Sequence, residues 1–198
     1  MQLHLPNRRQ LLQQLSAIMI GTALDITPSE GASLADEKAV YIPSGTGLVE
    51  KFGGIEMVFK LSKAQTHGSL GSEESILQPG FMGAPPHLHQ TFDEITIVLE
   101  GSVTILVGDE VTVVKAGDWH LRPRQVMHCF WNADTKPARY IDLFVPGGHE
   151  AYLQDLARLF HNNGRPTPDD FARLEKTHDI QYFWNKLPEI MKKYNVHL

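Results

Sequence analysis

Short strand-like segments ended by turn signals dominate the chain from about residue 38 to residue 147, and this texture limits the fold more than any other feature. The segments are rich in β-branched and aromatic residues, which favour strands, and turn-forming residues separate them. They cover residues 55–61, 94–99, 102–107, 111–114, 127–131 and 140–145. Many short strands without intervening helices are typical of a β-sandwich or β-barrel. We therefore predict an all-β fold for this part of the chain.

Two blocks within the strand region, residues 83–101 and 117–132, contain candidate metal ligands. The first block reads H-x-H-x4-E-x6-G and the second reads G-x5-P-x4-H-x3-N. The candidate ligands are His87, His89, Glu94 and His128. An H-x-H pair alone is often two ordinary histidines, but the complete ordered set indicates a metal site. A glycine-containing connection at residues 107–111 predicts a hairpin that brings the strands of both blocks into one sheet.

Three imidazoles and one carboxylate suit one divalent transition metal ion, and the set is compatible with Fe, Mn, Ni, Co, Cu or Zn. On an octahedral ion, four protein ligands leave two positions for a small-molecule substrate, water or dioxygen. This open coordination predicts a reactive centre rather than a structural metal site.

Composition argues against two classes of partner. The net charge is −5, the pI is about 6.0, and no basic run exceeds two residues, so neither nucleic acid nor an anionic membrane is expected to bind. Cys129 is the single cysteine, so no internal disulfide can form. It follows His128 directly, and we expect it to point away from the metal as a small buried residue of the barrel wall.

Residues 1–35 form an N-terminal extension with two open interpretations. Residues 7–12, Asn-Arg-Arg-Gln-Leu-Leu, are similar to a twin-arginine export signal, which would place the protein in the periplasm. Alternatively, apolar residues on one face predict a helix that packs on the barrel or a partner subunit, and the protein would then be cytoplasmic. These residues are Leu11, Leu12, Leu15, Ile18 and Met19.

Residues 149–198 form a C-terminal helical extension. A stripe at helical spacing comprises Tyr152, Leu153, Leu156, Leu159 and Phe160. A second helix should begin at Thr167, with Thr167 as N-cap and Pro168 in the first turn. The apolar side chains of this tail need a surface to cover, which is either the barrel or a second subunit of a homodimer.

The two blocks resemble the signature motifs of the cupin superfamily over about residues 40–148. The resemblance implies a jelly-roll β-barrel, here residues 36–148, and assigns the metal to His87, His89, Glu94 and His128. The sequence departs from the motifs at two glycines. The glycine that precedes H-x-H, if it is Gly80, stands one residue further toward the N-terminus than is usual in the motif. The glycine of the P-x-G sequence is replaced by Gln125. We expect the turn beside His128 to differ, because Gln125 replaces a residue that readily takes positive φ.

More narrowly, the order PPHxH, one barrel, PGG and a helical tail resembles the single-domain quercetinase-like cupins. This resemblance implies a metal-dependent dioxygenase that acts on a small aromatic or enolic, flavonol-like substrate. It also implies that Glu94 is both a metal ligand and the catalytic base. Two other functions remain open: a metal-dependent sugar isomerase or epimerase, and a non-enzymatic small-molecule-binding or sensor protein.

Residues that share a strand face with the candidate ligands are candidates for substrate binding. Phe130 and Asn132 follow His128 on its face, and Thr96 follows Glu94. Met82 is a further candidate, and Phe59 and Phe144 are weaker ones. Five other histidines lack ligand spacing, and we interpret them as surface or capping residues: His67, His120, His149, His161 and His178. Arg122 and Arg124 flank Pro123, and we expect both side chains to be solvated.

Overall fold

The computed structural model describes residues 39–198, of which Val40–Leu198 form one compact unit. The two interpretations of the N-terminal extension concern residues 1–35, which lie outside the described residues. No helix of the described part is long and apolar enough to cross a membrane.

Two antiparallel β-sheets form the body of the molecule. The first has the strand order β1-β2-β3-β10-β5-β8, and the second has the order β11-β4-β9-β6-β7. The strands are β1 (Leu48–Phe52), β2 (Ile55–Leu61), β3 (Gly71–Leu77), β4 (Met82–Leu88), β5 (Asp93–Glu100), β6 (Ser102–Val107), β7 (Glu110–Lys115), β8 (Trp119–Arg122), β9 (His128–Trp131), β10 (Ala138–Val145) and β11 (Gln181–Tyr182). Three helices follow β10 in the chain: α1 (His149–Asn163), α2 (Pro168–Thr177) and α3 (Leu187–Tyr194). The predicted all-β fold with a C-terminal helical tail is confirmed.

The main core lies between the two sheets. Met57, Leu77 and Tyr140 enter it from the first sheet, and Ile105 and Phe130 enter it from the second. All five side chains are buried. Alternate residues of β10 face this core, and buried and half-buried positions alternate along all eight of its residues. The sequence pattern of the central strands therefore reflects a sheet with one face on the core.

Each of the six predicted segments matches a strand, although Met127 lies one residue before β9, and five strands are absent from that set: β1, β3, β4, β8 and β11. Their composition explains the difference. The sequence of β3 is Gly-Ser-Glu-Glu-Ser-Ile-Leu, and β4 contains Gly83 and two prolines. Glycine, proline and acidic residues are depleted in strands, so local propensity gives no signal there. Tertiary pairing places these segments in the sheets.

The predicted hairpin at residues 107–111 forms between β6 and β7, and Gly108 has a φ of 58°. The expectation that it unites both blocks in one sheet is only partly correct. β4 and β9 pair in the second sheet, whereas β5, which carries Glu94, belongs to the first. The chain crosses between the sheets at Gly101, where φ is 72° and an added Cβ would lie 3.0 Å from the Pro137 carbonyl oxygen.

The C-terminal tail is built into the second sheet. β11 extends this sheet by pairing with β4, and α3 packs on its outer face, where Ile190 contacts the cluster that contains Cys129 and Trp131. The other faces of the same strands point inward, as predicted for Phe130 and His128. The α1 stripe forms a third cluster with α2 through Tyr152, Leu156 and Leu174. The tail therefore covers apolar surface of its own chain.

The start of α2 follows the sequence prediction. The Thr167 hydroxyl accepts a hydrogen bond from the Asp170 backbone N–H, and the Asp170 carboxylate accepts one from the Thr167 backbone N–H. This reciprocal arrangement satisfies two donors that the first helical turn leaves without partners. Pro168 occupies the first turn, where its missing N–H costs nothing.

Three edge strands carry large exposed apolar side chains. These are Leu48 and Val49 on β1, Val111 and Val113 on β7, and Trp119 and Leu121 on β8. A homodimer would give such side chains a partner surface, and the homodimer expected from the sequence stays a prediction.

Deleting residues 149–198 should yield an insoluble or aggregating barrel. The deletion uncovers Cys129 and Trp131 on the outer face and opens the edge of β4. Size-exclusion chromatography with light scattering measures the outcome. A truncated protein that stays soluble and monomeric would show that the tail is an appendage.

A milder pair of variants tests the same packing in the full chain. Ile190→Ala should lower the free energy of unfolding by about 2–5 kcal/mol, because it leaves a cavity in a buried cluster. Val113→Ala, at a position that is 52% exposed, should change it by less than about 0.5 kcal/mol. Equal effects of the two changes in urea unfolding would contradict the packing role of α3.

Candidate metal centre

The four candidate ligands come together inside the barrel from both sheets. His87 on β4 lies opposite His128 on β9, His89 follows the end of β4, and Glu94 reaches in from β5. All four residues are buried. One possible ligand atom from each lies within 4.8 Å of the other three. This buried cluster could bind one metal ion.

Backbone carbonyl groups fix the orientation of all three imidazoles. The Nδ1 atoms lie 2.7 Å from the Pro85 oxygen for His87, 2.6 Å from the Asp179 oxygen for His89, and 3.0 Å from the Val126 oxygen for His128. A carbonyl can only accept, so each Nδ1 carries the proton and donates it. Each Nε2 therefore presents its lone pair to the centre of the cluster, which is the arrangement that a metal-bound histidine requires.

The inward atoms of the cluster lack hydrogen-bond partners among the described residues. The Nε2 atom of His128 lies 2.9 Å from Glu94 Oε2, and that of His89 lies 3.7 Å from Glu94 Oε1. Neither approach has the geometry of a hydrogen bond, so both Nε2 atoms and Glu94 Oε2 remain without such a bond. Buried polar atoms rarely stay unpaired. Their convergence on one region fits a cation between them.

Protonation in the free cluster favours metal binding. Burial, followed by the neighbouring rings of His128 and His89, lowers the pKa of His87 well below its usual value, so this imidazole is neutral. Burial acts to raise the pKa of Glu94, but the Arg122 guanidinium, 3.1 Å from its Oε2 atom, outweighs it. The pKa of this carboxyl therefore lies well below its usual value. The site offers a neutral imidazole and an ionised carboxylate as ligands.

Arg122 is buried, and the sequence-based interpretation of it as solvated is wrong. It lies on the edge strand β8, opposite Glu94 on β5, and its side chain points into the barrel. The guanidinium lies 3.1 Å from Glu94 Oε2 and 2.7 Å from Asp142 Oδ1. It also donates to the Thr96 hydroxyl at 2.8 Å. The alternation of β8 could have indicated this, but four residues are too short a strand for a pattern to show.

Thr96, a predicted substrate-binding residue, lies in this polar network. Its hydroxyl donates to Asp142 Oδ1 at 2.5 Å, and Thr96 is not among the residues that line the cavity described below. Arg124, in contrast, is largely exposed and pairs with Asp93 at 2.8 Å, as expected for a solvated arginine.

His149 is a second residue that sequence reasoning placed wrongly, because it is buried rather than a surface or capping residue. It is the first residue of α1, its ring stacks on Tyr152, and its Nε2 atom lies 3.9 Å from Glu94 Oε1. Burial, followed by the neighbouring His89, lowers the pKa of His149 well below its usual value. No ligand spacing in the sequence points to it, because α1 brings it to the site from the tail.

The other four histidines lie away from the cluster. His67 and His161 are exposed, and His178 is the C-cap of α2 and contacts Asp155. These three agree with the interpretation as surface or capping residues. His120 is half-buried on β8.

The turn before His128 keeps a left-handed residue although the glycine of the motif is absent. Gln125 has a φ of 65°, and its backbone N–H donates to the His89 carbonyl oxygen at 2.6 Å. A non-glycine residue in this conformation is strained. Gln125 thus takes a conformation that glycine adopts readily, and the hydrogen bond to the His89 carbonyl holds it in place. The expected difference of this turn from that of other cupins stays a prediction.

A cavity of about 880 Å³ adjoins the cluster, and His87 and Glu94 form part of its wall. The remaining wall is mainly apolar and aromatic, with contributions from Phe130, Phe144, Tyr182 and Trp184. Of the sequence candidates, Met82 also lines the cavity, whereas Phe59 does not. The arrangement places two ligands of the cluster at the surface of a large apolar chamber.

Comparison with known proteins identifies the fold. Residues 74–144 match the sequence model of the cupin domain. No curated protein sequence matches the chain. The solved structure of KdgF from Halomonas sp. is 20% identical, with a TM-score of 0.51 over 58% of this chain and 99% of that one. A predicted oxalate decarboxylase from Thermotoga maritima is also 20% identical, with a TM-score of 0.51 over 54% of this chain and 99% of that one. At these identities, the likeness concerns the jelly-roll fold.

His87→Ala and His128→Ala should each remove most of the bound metal, because each deletes one donor of the cluster. His120→Ala and His161→Ala are matched controls on histidines outside the cluster and should keep the metal content of the unaltered protein. Elemental analysis after dialysis gives the metal-to-protein ratio. Full metal content in both ligand variants would refute the assignment.

Asp179→Ala should lower metal affinity about 10–100-fold, as expected when the partner of a ligating histidine is disturbed. The Asp179 carboxylate accepts hydrogen bonds from the backbone N–H groups of Gln90 and Thr91, and its own carbonyl accepts from His89 Nδ1. Losing the carboxylate frees the carbonyl that orients His89. A competition titration against a chromophoric chelator measures the affinity.

Asp134→Ala is the control for this prediction, because Asp134 is exposed and accepts a hydrogen bond only within its own turn, from Thr135. Its metal affinity should equal that of the unaltered protein. If Asp179→Ala also binds metal with unchanged affinity, the tail does not position His89.

Proposed function

We propose that this chain, which carries a cupin domain at residues 74–144, is a mononuclear metal-dependent dioxygenase that acts on a small aromatic or enolic substrate. One observation carries the proposal. The buried three-histidine, one-glutamate cluster opens through His87 and Glu94 onto a large apolar chamber. Such a chamber next to reactive groups is the usual form of a small-molecule site.

The donor set fits the metal that the proposal needs. His87, His89, His128 and Glu94 would hold one divalent transition metal ion, with imidazole nitrogens and a carboxylate oxygen as donors. When bound, such an ion supplies a Lewis-acidic and redox-active centre with open coordination positions.

The chamber wall supports an aromatic substrate. Aromatic side chains such as Phe130 and Phe144 bury large apolar surfaces and pack well against planar rings. A sugar would leave many of its hydroxyl groups without partners against such a wall, and unpaired buried hydroxyl groups are costly. The mainly apolar wall therefore favours the dioxygenase over the sugar isomerase.

The charge state of Glu94 further limits the class of substrates that the site could deprotonate. Arg122 holds the pKa of Glu94 low, which makes this carboxylate a weak base. A weak base can take a proton only from a hydroxyl that is itself acidified, as a phenolic or enolic hydroxyl beside a Lewis-acidic metal ion would be. Phenols have a pKa of about 10, as in tyrosine, and enols are similarly acidic, whereas aliphatic hydroxyls are far weaker acids. We propose that Glu94 accepts the proton of a phenolic or enolic hydroxyl while Arg122 keeps the carboxylate oriented.

A non-enzymatic small-molecule-binding protein is the alternative that shares this geometry. A metal centre beside an apolar chamber would bind the same class of ligand without turning it over. Oxygen consumption therefore separates the two functions, and a panel of flavonols and related enols is the appropriate set of compounds.

Glu94→Gln should retain a substantial share of the metal and of ligand binding, because the amide keeps the size and one oxygen donor. Turnover should fall about 10²–10⁴-fold, as is typical when a general base is lost. Glu100→Gln is the matched control, since Glu100 ends the same strand with an exposed side chain and should keep full turnover. The readout is oxygen uptake together with metal content for each variant.

The unaltered protein decides between the candidate functions. Turnover that persists in strictly anaerobic buffer would refute the oxygenase and favour an isomerase. Ligand binding without any turnover, in air and with metal present, would favour the binding protein.

A further inference from the structure

A row of polar side chains crosses the inner face of the first sheet beside the metal-ligand cluster. Glu73 on β3 lies opposite Asp142 on the neighbouring strand β10, and Asp142 lies opposite Thr96 on β5. Glu73 and Asp142 are each only 3% exposed, and both line the apolar cavity. The interior of the chamber therefore contains a carboxyl group that is not part of the metal-ligand cluster.

One oxygen of Glu73 has no partner. Its Oε1 atom accepts a hydrogen bond from the Ser75 hydroxyl at 3.1 Å, whereas Oε2 has no hydrogen-bond partner among the described residues. Asp142 differs, since Arg122 and Thr96 both bind its Oδ1 atom. A buried carboxyl with a free oxygen destabilises a fold unless something else binds it. Here the free oxygen belongs to a residue of the cavity wall.

Burial, and then the nearby carboxyl of Asp142, raise the pKa of Glu73 well above its usual value. Glu73 is therefore a neutral carboxylic acid that can both donate and accept a hydrogen bond. A neutral acid in an apolar site binds uncharged oxygen groups well, because both partners keep their hydrogen bonds away from water.

We propose that Glu73 is a ligand-binding residue of the cavity, where its free oxygen hydrogen-bonds a neutral hydroxyl of an aromatic ligand at a point remote from the metal-ligand cluster. This inference rests on the proposed function, because it takes this cavity to be the substrate site. Glu73 would be a second point, besides the metal-ligand cluster, at which the protein binds the substrate. The substrate should therefore carry a second oxygen substituent.

The separation of the two points defines the ligand. Glu73 and Glu94 lie two strands apart and are offset by two residues, which places their backbones about 12 Å apart at normal strand spacings. Both side chains reach inward, so the span between them is shorter. A ligand that engages both therefore carries two oxygen substituents separated by at least one aromatic ring.

The surrounding charges argue for a neutral hydroxyl rather than a carboxylate. Asp142 and Glu94 are carboxyl groups in the same cavity wall, and Arg122 is already paired with both. An anionic ligand beside Glu73 would meet these carboxyl groups, and the neighbouring cation, Arg122, is already engaged by two of them. A hydroxyl can accept a hydrogen bond from the carboxylic acid of Glu73 or donate one to its free oxygen.

A matched pair of small probes tests Glu73 without requiring the full substrate. Phenol and toluene differ by a hydroxyl in place of a methyl group, and NMR titration of the metal-loaded protein gives both dissociation constants. Glu73→Leu should weaken phenol binding about 10-fold while toluene binding stays unchanged or tightens. Glu73→Gln, which keeps a donor and an acceptor, should retain most of the phenol affinity.

Glu74→Leu is the matched control, because it makes the same change at the next residue of β3, whose side chain pairs with Arg139 and Lys60 outside the cavity. Its phenol-to-toluene ratio should equal that of the unaltered protein. An unchanged ratio in Glu73→Leu, or no phenol binding to the unaltered protein, would overturn the proposal. Benzylamine binding more tightly than phenol would also overturn it, since Glu73 would then be a cation site.

If the Glu73→Leu variant fails to fold, a crystal structure of the unaltered protein with bound phenol tests the proposal instead. The phenol oxygen should lie about 2.5–3.0 Å from a Glu73 carboxyl oxygen. A structure in which no phenol oxygen lies beside Glu73 would refute the proposal. Metal content and oxygen uptake are measured separately, so an inactive protein that still discriminates phenol through Glu73 would refute the dioxygenase and keep the binding site.

Discussion

The buried guanidinium of Arg122 is the interaction on which the interior of this barrel depends. Glu73, Glu94 and Asp142 place three carboxyl groups inside the fold, and Arg122 is the cation that contacts two of them directly. A buried carboxylate without a partner would cost several kcal/mol, and removing one member of such a pair typically costs about 3–5 kcal/mol. The ion pair thus allows Glu94 to be ionised and ready to bind a metal although the carboxyl group is buried. It also leaves Glu73 as the carboxyl without a cation.

The metal centre depends equally on the C-terminal tail. The tail is therefore part of the site and not an appendage of the barrel. The tail brings the Asp179 carbonyl to His89 Nδ1 and places His149 beside Glu94. It also adds β11 to the sheet next to the strand of His87. A barrel alone would hold the four ligands but not the groups that orient one of them and close the chamber. Folding of the tail and formation of the site are therefore coupled.

Much of the fold and the cluster could be predicted, and the failures have a common cause. The residue types and their spacing in the sequence were sufficient to identify the four ligands of the cluster, and the structure brings them together: His87, His89, Glu94 and His128. Arg122 and His149 could not, because a single arginine or histidine has no spacing to read and its burial is decided by distant pairing. β3 and β4 were missed for the same reason. Their glycine, proline and glutamate residues oppose strand formation locally, and only the neighbouring strands make these segments strands.

The locally unfavourable features of the chain gather around one chamber, and this distribution supports a binding role for it. Gln125 takes a left-handed conformation beside His89, Glu73 keeps an unpartnered oxygen in the chamber wall, and two Nε2 atoms of the cluster lack hydrogen bonds. Each feature lowers stability, and natural sequences retain such features mainly where function requires them. Two of the three would gain a partner from a bound ligand or ion, and the Gln125 backbone holds the segment that carries His89. The destabilising features thus share one explanation, which is a chamber built to bind a cation at one point and a neutral oxygen at another.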